Sequence, residues 1–84
     1  MSDNPLELSP TAVAFRPGFY RHYKGGMYHA FFVARDEDTR ESEFVVYQSL
    51  LRGYSWIRPL ENFLGTVTLN GAPMQRFTYV EKIL

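Results

Sequence analysis

The chain has 84 residues and no cysteine, which leaves room for one domain and excludes disulfides, a thiol nucleophile and thiolate zinc sites. Hydrophobic residues make up 45% and nine Lys+Arg balance nine Asp+Glu; this argues against disorder and against a dedicated duplex-DNA binder, which would be clearly basic. No apolar run approaches the roughly 18 residues of a membrane span, and no basic-then-apolar leader opens the chain, so a cytoplasmic domain without a membrane role is expected.

Residues 1–14 carry Pro5 and Pro10 among small polar residues and read as a flexible N-terminal arm. Residues 15–84 read as a single small β-barrel domain. Phe19 to Lys24 and Met27 to Arg35 are β-like runs separated by Gly25-Gly26, a hairpin signal because glycine adopts positive φ freely. A symmetric two-residue turn would set Tyr23 opposite Tyr28, His22 opposite His29 and Arg21 opposite Ala30. A three-residue loop would shift these pairs.

Asp36 to Ser42 is an acidic, solvated tip. Glu43 to Leu50 holds Phe44-Val45-Val46-Tyr47, the strongest β segment, and Gly53 breaks it. Ser55 to Arg58 is a short strand ending at Pro59. Pro59 to Leu64 reads as one helical or 3₁₀ turn, with Leu60, Phe63 and Leu64 on its buried face. Thr66 to Leu69 precedes Asn70-Gly71, whose two-residue turn pairs Leu69 with Ala72 and Thr68 with Pro73. Pro73 is tolerable there if that side is an edge. Met74 to Val80 reads as one last strand.

Five or six short strands with one helical turn suggest an all-β, SH3-like, strongly bent and partly open barrel. An OB-like barrel comes second, since it needs more chain and a longer helix. The 17% aromatic content suits so small a domain, because each ring buries about 150–250 Å².

Three runs, PGFYRHYKGGMY, VVYQSL and WIRPLENF, closely resemble the bacterial domain-of-unknown-function family 1653, with its pattern PGxYRHYKGxxY, VVYxxL and W(V/I)RPxxxF. The resemblance runs from about Pro17 to Phe77. It implies a small bacterial cytosolic β domain and supplies no activity. Two positions depart from the pattern. Asp36 stands where the family carries a His, and Gln75 precedes Arg76 where a Pro is common, so a site using that His would be altered here.

Net neutrality hides segregation. No acid lies between Leu8 and Arg35, a stretch that includes Arg16, Arg21, Lys24, His22 and His29. Tyr20-Arg21-His22-Tyr23-Lys24 is the densest polar-aromatic cluster. On a strand, Tyr20, His22 and Lys24 share one face, and Phe19, Arg21 and Tyr23 the other. The bland reading makes Phe19 and Tyr23 core, with Arg21 and Lys24 lying over apolar surface. The functional reading makes a ligand surface of rings and cations from Tyr20, Arg21, His22, Lys24, Trp56 and Arg58. The favoured reading of Arg58 is a structural ion pair with Glu61 or a neighbouring carboxylate, and Arg76 is ambiguous in the same way. Tyr47 reads as a core ring whose hydroxyl finds a backbone partner.

His22 and His29 would supply only two of the three or four ligands zinc needs, and Asp36, Asp38 and Glu41 lack the glycine and spacing of a calcium loop. No metal or cofactor is therefore assigned. Ser42, Ser49 and Ser55 lie in no nucleophile-elbow context, and no helix follows Lys24-Gly25-Gly26 to make a phosphate loop. The expected role is a binding module for an anionic partner: a nucleotide, a single-stranded nucleic acid or an acidic peptide. Two alternatives stay open. One is an enzyme with His22 as general base and Lys24 or Arg58 holding the substrate. The other is a homodimer joined through exposed aromatics or the edge near Pro73.

Overall fold

The computed structural model describes residues 7–39 and 41–81. The elements run α1 (Pro10–Val13), β1 (Gly18–His22), β2 (Met27–Arg35), β3 (Glu43–Ser49), β4 (Ser55–Pro59), α2 (Leu60–Phe63), β5 (Thr66–Leu69), β6 (Ala72–Gln75) and β7 (Phe77–Val80). The described residues are mostly β, with seven strands in two antiparallel sheets. Five strands form one sheet in the order β4-β3-β2-β1-β7, and β5-β6 form a separate hairpin. The larger sheet is open, since β4 and β7 do not pair with each other. Among the described residues no helix is long and apolar enough to cross a membrane.

Seven strands replace the expected five or six because Arg76 divides the last predicted strand. Its N–H donates to Gly65 O at 3.0 Å, which ends β6 against the turn after α2. Phe77 then enters the other sheet opposite His22. The Asn70-Gly71 turn has the predicted register, Leu69 with Ala72 and Thr68 with Pro73. Both turn residues take positive φ, 54° and 80°, as a type I′ turn requires.

The β1–β2 register differs from the two-residue reading. Gly18 faces Ala30, Phe19 faces His29, Tyr20 faces Tyr28 and Arg21 faces Met27. His22 N–H donates to Gly26 O and Gly25 N–H to His22 O, both at 2.7 Å, so the loop is Tyr23-Lys24-Gly25. Only Gly25 of the glycine pair takes positive φ, 112°, which is the pattern of a turn followed by a bulge. Two glycines therefore do not imply a two-residue turn. His22 and His29 consequently lie on opposite faces of the sheet and are not cross-strand partners.

The inner face is built of rings. Tyr20, Ala30, Val45, Tyr47, Leu60, Phe63 and Phe77 are buried together with Ala12. Phe63 and Phe77 stack at 4.1 Å with planes 7° apart. Phe63 also meets Phe15, Tyr20 and Tyr47 edge-on. Phe19 and Tyr23, expected in the core on one reading of β1, lie outside it: the core takes the opposite face, through Tyr20. The helical turn after Pro59 buries Leu60 and Phe63 but leaves Leu64 41% exposed. The helix stops at Phe63, so only residues three apart point inward.

The segment before β1 is tied to the domain from Ser9 onward. Ser9 caps α1 by accepting from Ala12 N–H at 3.1 Å, while its hydroxyl and N–H donate to the Glu43 carboxylate at 2.6 and 2.8 Å. Arg35 lies 3.9 Å from the same carboxylate. Burial pushes the Glu43 pKa up, but the two Ser9 bonds and Arg35 outweigh it and hold it below 4.5. This contribution to stability is present above about pH 4.5 and is lost as pH falls through the folded value. Ser9→Ala removes both the cap and a carboxylate partner. Denaturant titration near neutral pH should show a loss of about 1–2 kcal/mol, with a shallower acid-side decline than in the parent. A variant as stable as the parent would show that α1 does not depend on this link.

A candidate anion-binding cleft

Alternation along the strands brings His22 of β1, Tyr28 of β2, Tyr47 of β3, Trp56 and Arg58 of β4 and Phe77 of β7 to one end of the inner face. They line a cleft of about 190 Å³. The pairings His22–Phe77 and Tyr47–Trp56 fix this arrangement. Phe77 forms the floor. It meets His22 edge-on at 4.9 Å, Tyr28 at 5.6 Å and Tyr47 at 5.5 Å. Trp56, 50% exposed, forms the rim.

Arg58 is held by neutral groups. Its Nε–H donates to the Tyr47 hydroxyl at 3.1 Å, and Nη1 donates to Asn62 Oδ1 at 2.6 Å. Its guanidinium carbon lies 5.9 Å from the Phe77 ring centre. The expected ion pair with Glu61 is not the one formed: Asn62, four residues on across the Pro59 turn, takes the contact. Among the described residues no carboxylate bonds Arg58. Its remaining N–H groups and the Tyr47 proton stay available as donors.

His22 adds a third donor. Lys24 N–H donates to His22 Nδ1 at 3.1 Å, which assigns the ring proton to Nε2 in the neutral form. Burial, and then the positive charges of Arg58, Arg76 and Lys24, hold His22 below its ordinary 6.5. The ring is therefore neutral at neutral pH. The Nε of Arg76 is itself buried without a hydrogen-bond partner.

The cleft thus offers donors and cations with no acceptor carboxylate. The sequence agrees over a longer range: no acid occurs from Phe44 to Leu60 or from Asn62 to Val80. The acids Asp36, Glu37, Asp38, Glu41 and Glu43 gather at the β2–β3 turn, at the end of β2 away from Tyr28, while Arg58 pairs with Val45, two residues along β3 from Glu43. Two larger grooves have different chemistry. One is lined by Glu41, Glu43 and Glu61. The other, between α1 and β7, is mainly apolar around Phe15, Tyr20 and Tyr79.

Of the six residues singled out from sequence, the structure gathers His22, Trp56 and Arg58. Lys24 sits in the adjoining turn and reaches His22 by charge. Tyr20 is buried in the core, its hydroxyl donating to Arg16 O at 2.6 Å. Arg21 is exposed on the outer face of the sheet. Among the described residues no group of three or more His, Cys, Asp or Glu could hold a metal ion. Sequence reasoning missed Tyr28, Tyr47 and Phe77 as lining residues and Asn62 as the Arg58 anchor; the Tyr47 hydroxyl, expected to bond the backbone, accepts from Arg58 instead. The Arg58–Asn62 spacing inside WIRPLENF was the available signal.

The sequence profile of the family described as "Protein of unknown function (DUF1653)" matches residues 18–79. The crystal structure of a DUF1653 protein from Bordetella bronchiseptica is 37% identical, with a TM-score of 0.76, and the match covers 87% of this chain and 96% of that one. No curated protein matches the chain. The chain belongs to the DUF1653 family, as its three motifs implied.

The depressed His22 value has a checkable consequence. A pKa near 6.5 in the unfolded chain and a lower one in the fold mean that the unfolded state takes up the proton first. Stability is unaffected above about pH 6.5 and falls as pH drops below it towards the folded value. Thermal melts of His22→Gln and the parent between about pH 7 and 5 should show a flatter profile for the variant. Parallel profiles would mean that His22 titrates as it does in the unfolded chain.

Proposed function

We propose that the protein is a binding module whose cleft holds one anionic group, a phosphate or a carboxylate. The observation that carries this reading is the convergence of the Arg58 guanidinium, the Tyr47 hydroxyl and the neutral His22 ring on a ring-walled cleft without a carboxylate. An all-donor site suits an acceptor-only group, and Arg suits a planar or tetrahedral oxyanion through paired N–H bonds. The volume supports a group rather than a whole small molecule: 190 Å³ falls below the roughly 300–1,000 Å³ of ordinary ligand pockets. The remainder of a ligand would lie outside, over Trp56.

The Lys24 N–H bond to Nδ1 argues against His22 as a general base. The nitrogen with the free lone pair is already engaged, and the other carries the proton, so the ring serves better as a donor.

Amide and imidazole NMR during titration with inorganic phosphate and with a mononucleotide tests the site. Shifts should cluster at His22, Tyr28, Tyr47, Trp56, Arg58 and Phe77, and the His22 pKa should rise as the anion offsets the neighbouring cations. Arg58→Gln should weaken binding about ten- to a hundredfold, the scale of charge-assisted hydrogen bonds, and Arg58→Lys should recover only part of it. Anion-induced shifts that persist unchanged in Arg58→Gln would sink the assignment.

A further inference from the structure

We infer that the anion is the backbone phosphate of a single-stranded nucleic acid, and that the strand runs from the cleft across the adjoining turns. This rests on the anion reading of the cleft and names its ligand. The β1–β2 and β3–β4 turns meet at this end of the sheet, where Leu50 N–H donates to Met27 O at 3.0 Å. Tyr23 N–H donates to Arg76 O at 2.9 Å, which joins the segment before β7 to the same end. Lys24 and Arg52 therefore continue the positive charge of Arg58 and Arg76 beyond the cleft, both exposed and with no acid in their turns.

Apolar rings accompany the cations. Tyr54 is 60% and Trp56 50% exposed, and the two meet edge-on at 6.2 Å, with Leu51 beside them in sequence and 88% exposed. Exposed rings next to spaced cations suit unpaired bases and successive phosphates. Duplex DNA hides its base faces and would gain nothing from the rings. An acidic peptide would share the charge but would bind best by adding a strand to β4, the sheet edge that carries Trp56 and Arg58. Pro59 at the end of β4 lacks the N–H such an addition needs, which favours the nucleic acid.

The sole tryptophan lies at the rim, so its fluorescence reports occupancy without a label. Titrants are inorganic phosphate, thymidine monophosphate, thymidine and uridine oligonucleotides of about eight residues, and a polyglutamate peptide of similar length. The oligonucleotides should quench Trp56 and bind at least about tenfold tighter than the monophosphate. Between about 50 and 200 mM salt their affinity should fall roughly ten- to twentyfold, as for about three neutralised phosphates. Arg52→Ala, outside the cleft, should lower oligonucleotide affinity and its salt dependence while leaving monophosphate binding unchanged. Equal affinity for monophosphate and oligonucleotide overturns the inference and leaves the single-anion cleft intact. Polyglutamate binding as tightly as the oligonucleotides replaces the nucleic acid by a peptide. Silence to every titrant, with no shift at His22 by NMR, overturns the cleft reading as well.

Discussion

The Phe63–Phe77 stack is the contact on which the molecule turns. Phe63 comes from the single helical turn after β4, and Phe77 from the strand that closes the far edge of the five-stranded sheet. Their parallel contact at 4.1 Å pins helix to strand across the inner face. Each ring then has its own neighbours. Phe63 gathers Phe15, Tyr20 and Tyr47 into the core, while Phe77 gathers His22, Tyr28 and Tyr47 at the cleft. An 84-residue chain has little interior to spend, and large rings shared between core and site let one set of contacts serve both.

That sharing explains the form of the polar groups nearby. Arg58 leaves β4 towards the inner face, where a charge without partners would be costly. It is satisfied by Tyr47 and Asn62, both neutral, so it keeps its field. A carboxylate partner would have cancelled that field and depressed any anion affinity. His22 responds to the same environment: burial and three neighbouring cations favour the uncharged ring. Five of the nine acids lie instead at the β2–β3 turn, where Glu43 organises Ser9 and Arg35. The β2–β3 turn thus anchors the chain before β1, while the β1–β2 and β3–β4 turns carry Lys24 and Arg52 with no acid beside them.

Much of the fold was legible because local chemistry decides it. Asn70-Gly71 sets its own register, since only a type I′ turn puts both residues at positive φ and matches strand twist. Phe44 to Tyr47 and Met27 to Arg35 declare themselves by composition. Other features depend on contacts far apart in sequence. Gly25-Gly26 is compatible with several loops, and the bond from His22 to Gly26 selects one. The division of the last strand at Arg76 follows from Gly65, eleven residues earlier in the chain. Ser9, the cap of α1, is held by Glu43, thirty-four residues away.

The site divides along the same line. His22, Trp56 and Arg58 were recognisable as residue types that bind anions and stack on rings. Their meeting depends on strand order, which sets β1 beside β7 and β4 beside β3. Tyr20 and His22 share a face of β1 with the same alternation, yet one is core and the other lines the cleft. The difference lies in what covers them: Phe15 and Phe63 close over Tyr20, whereas β4 reaches the His22 end with Trp56 half-exposed. Sequence alternation identifies a face, and only the covering elements decide where along that face the interior ends and the open cleft begins. Here that boundary falls at Phe77, whose strand parts from the β5–β6 hairpin at Arg76 and pairs with β1.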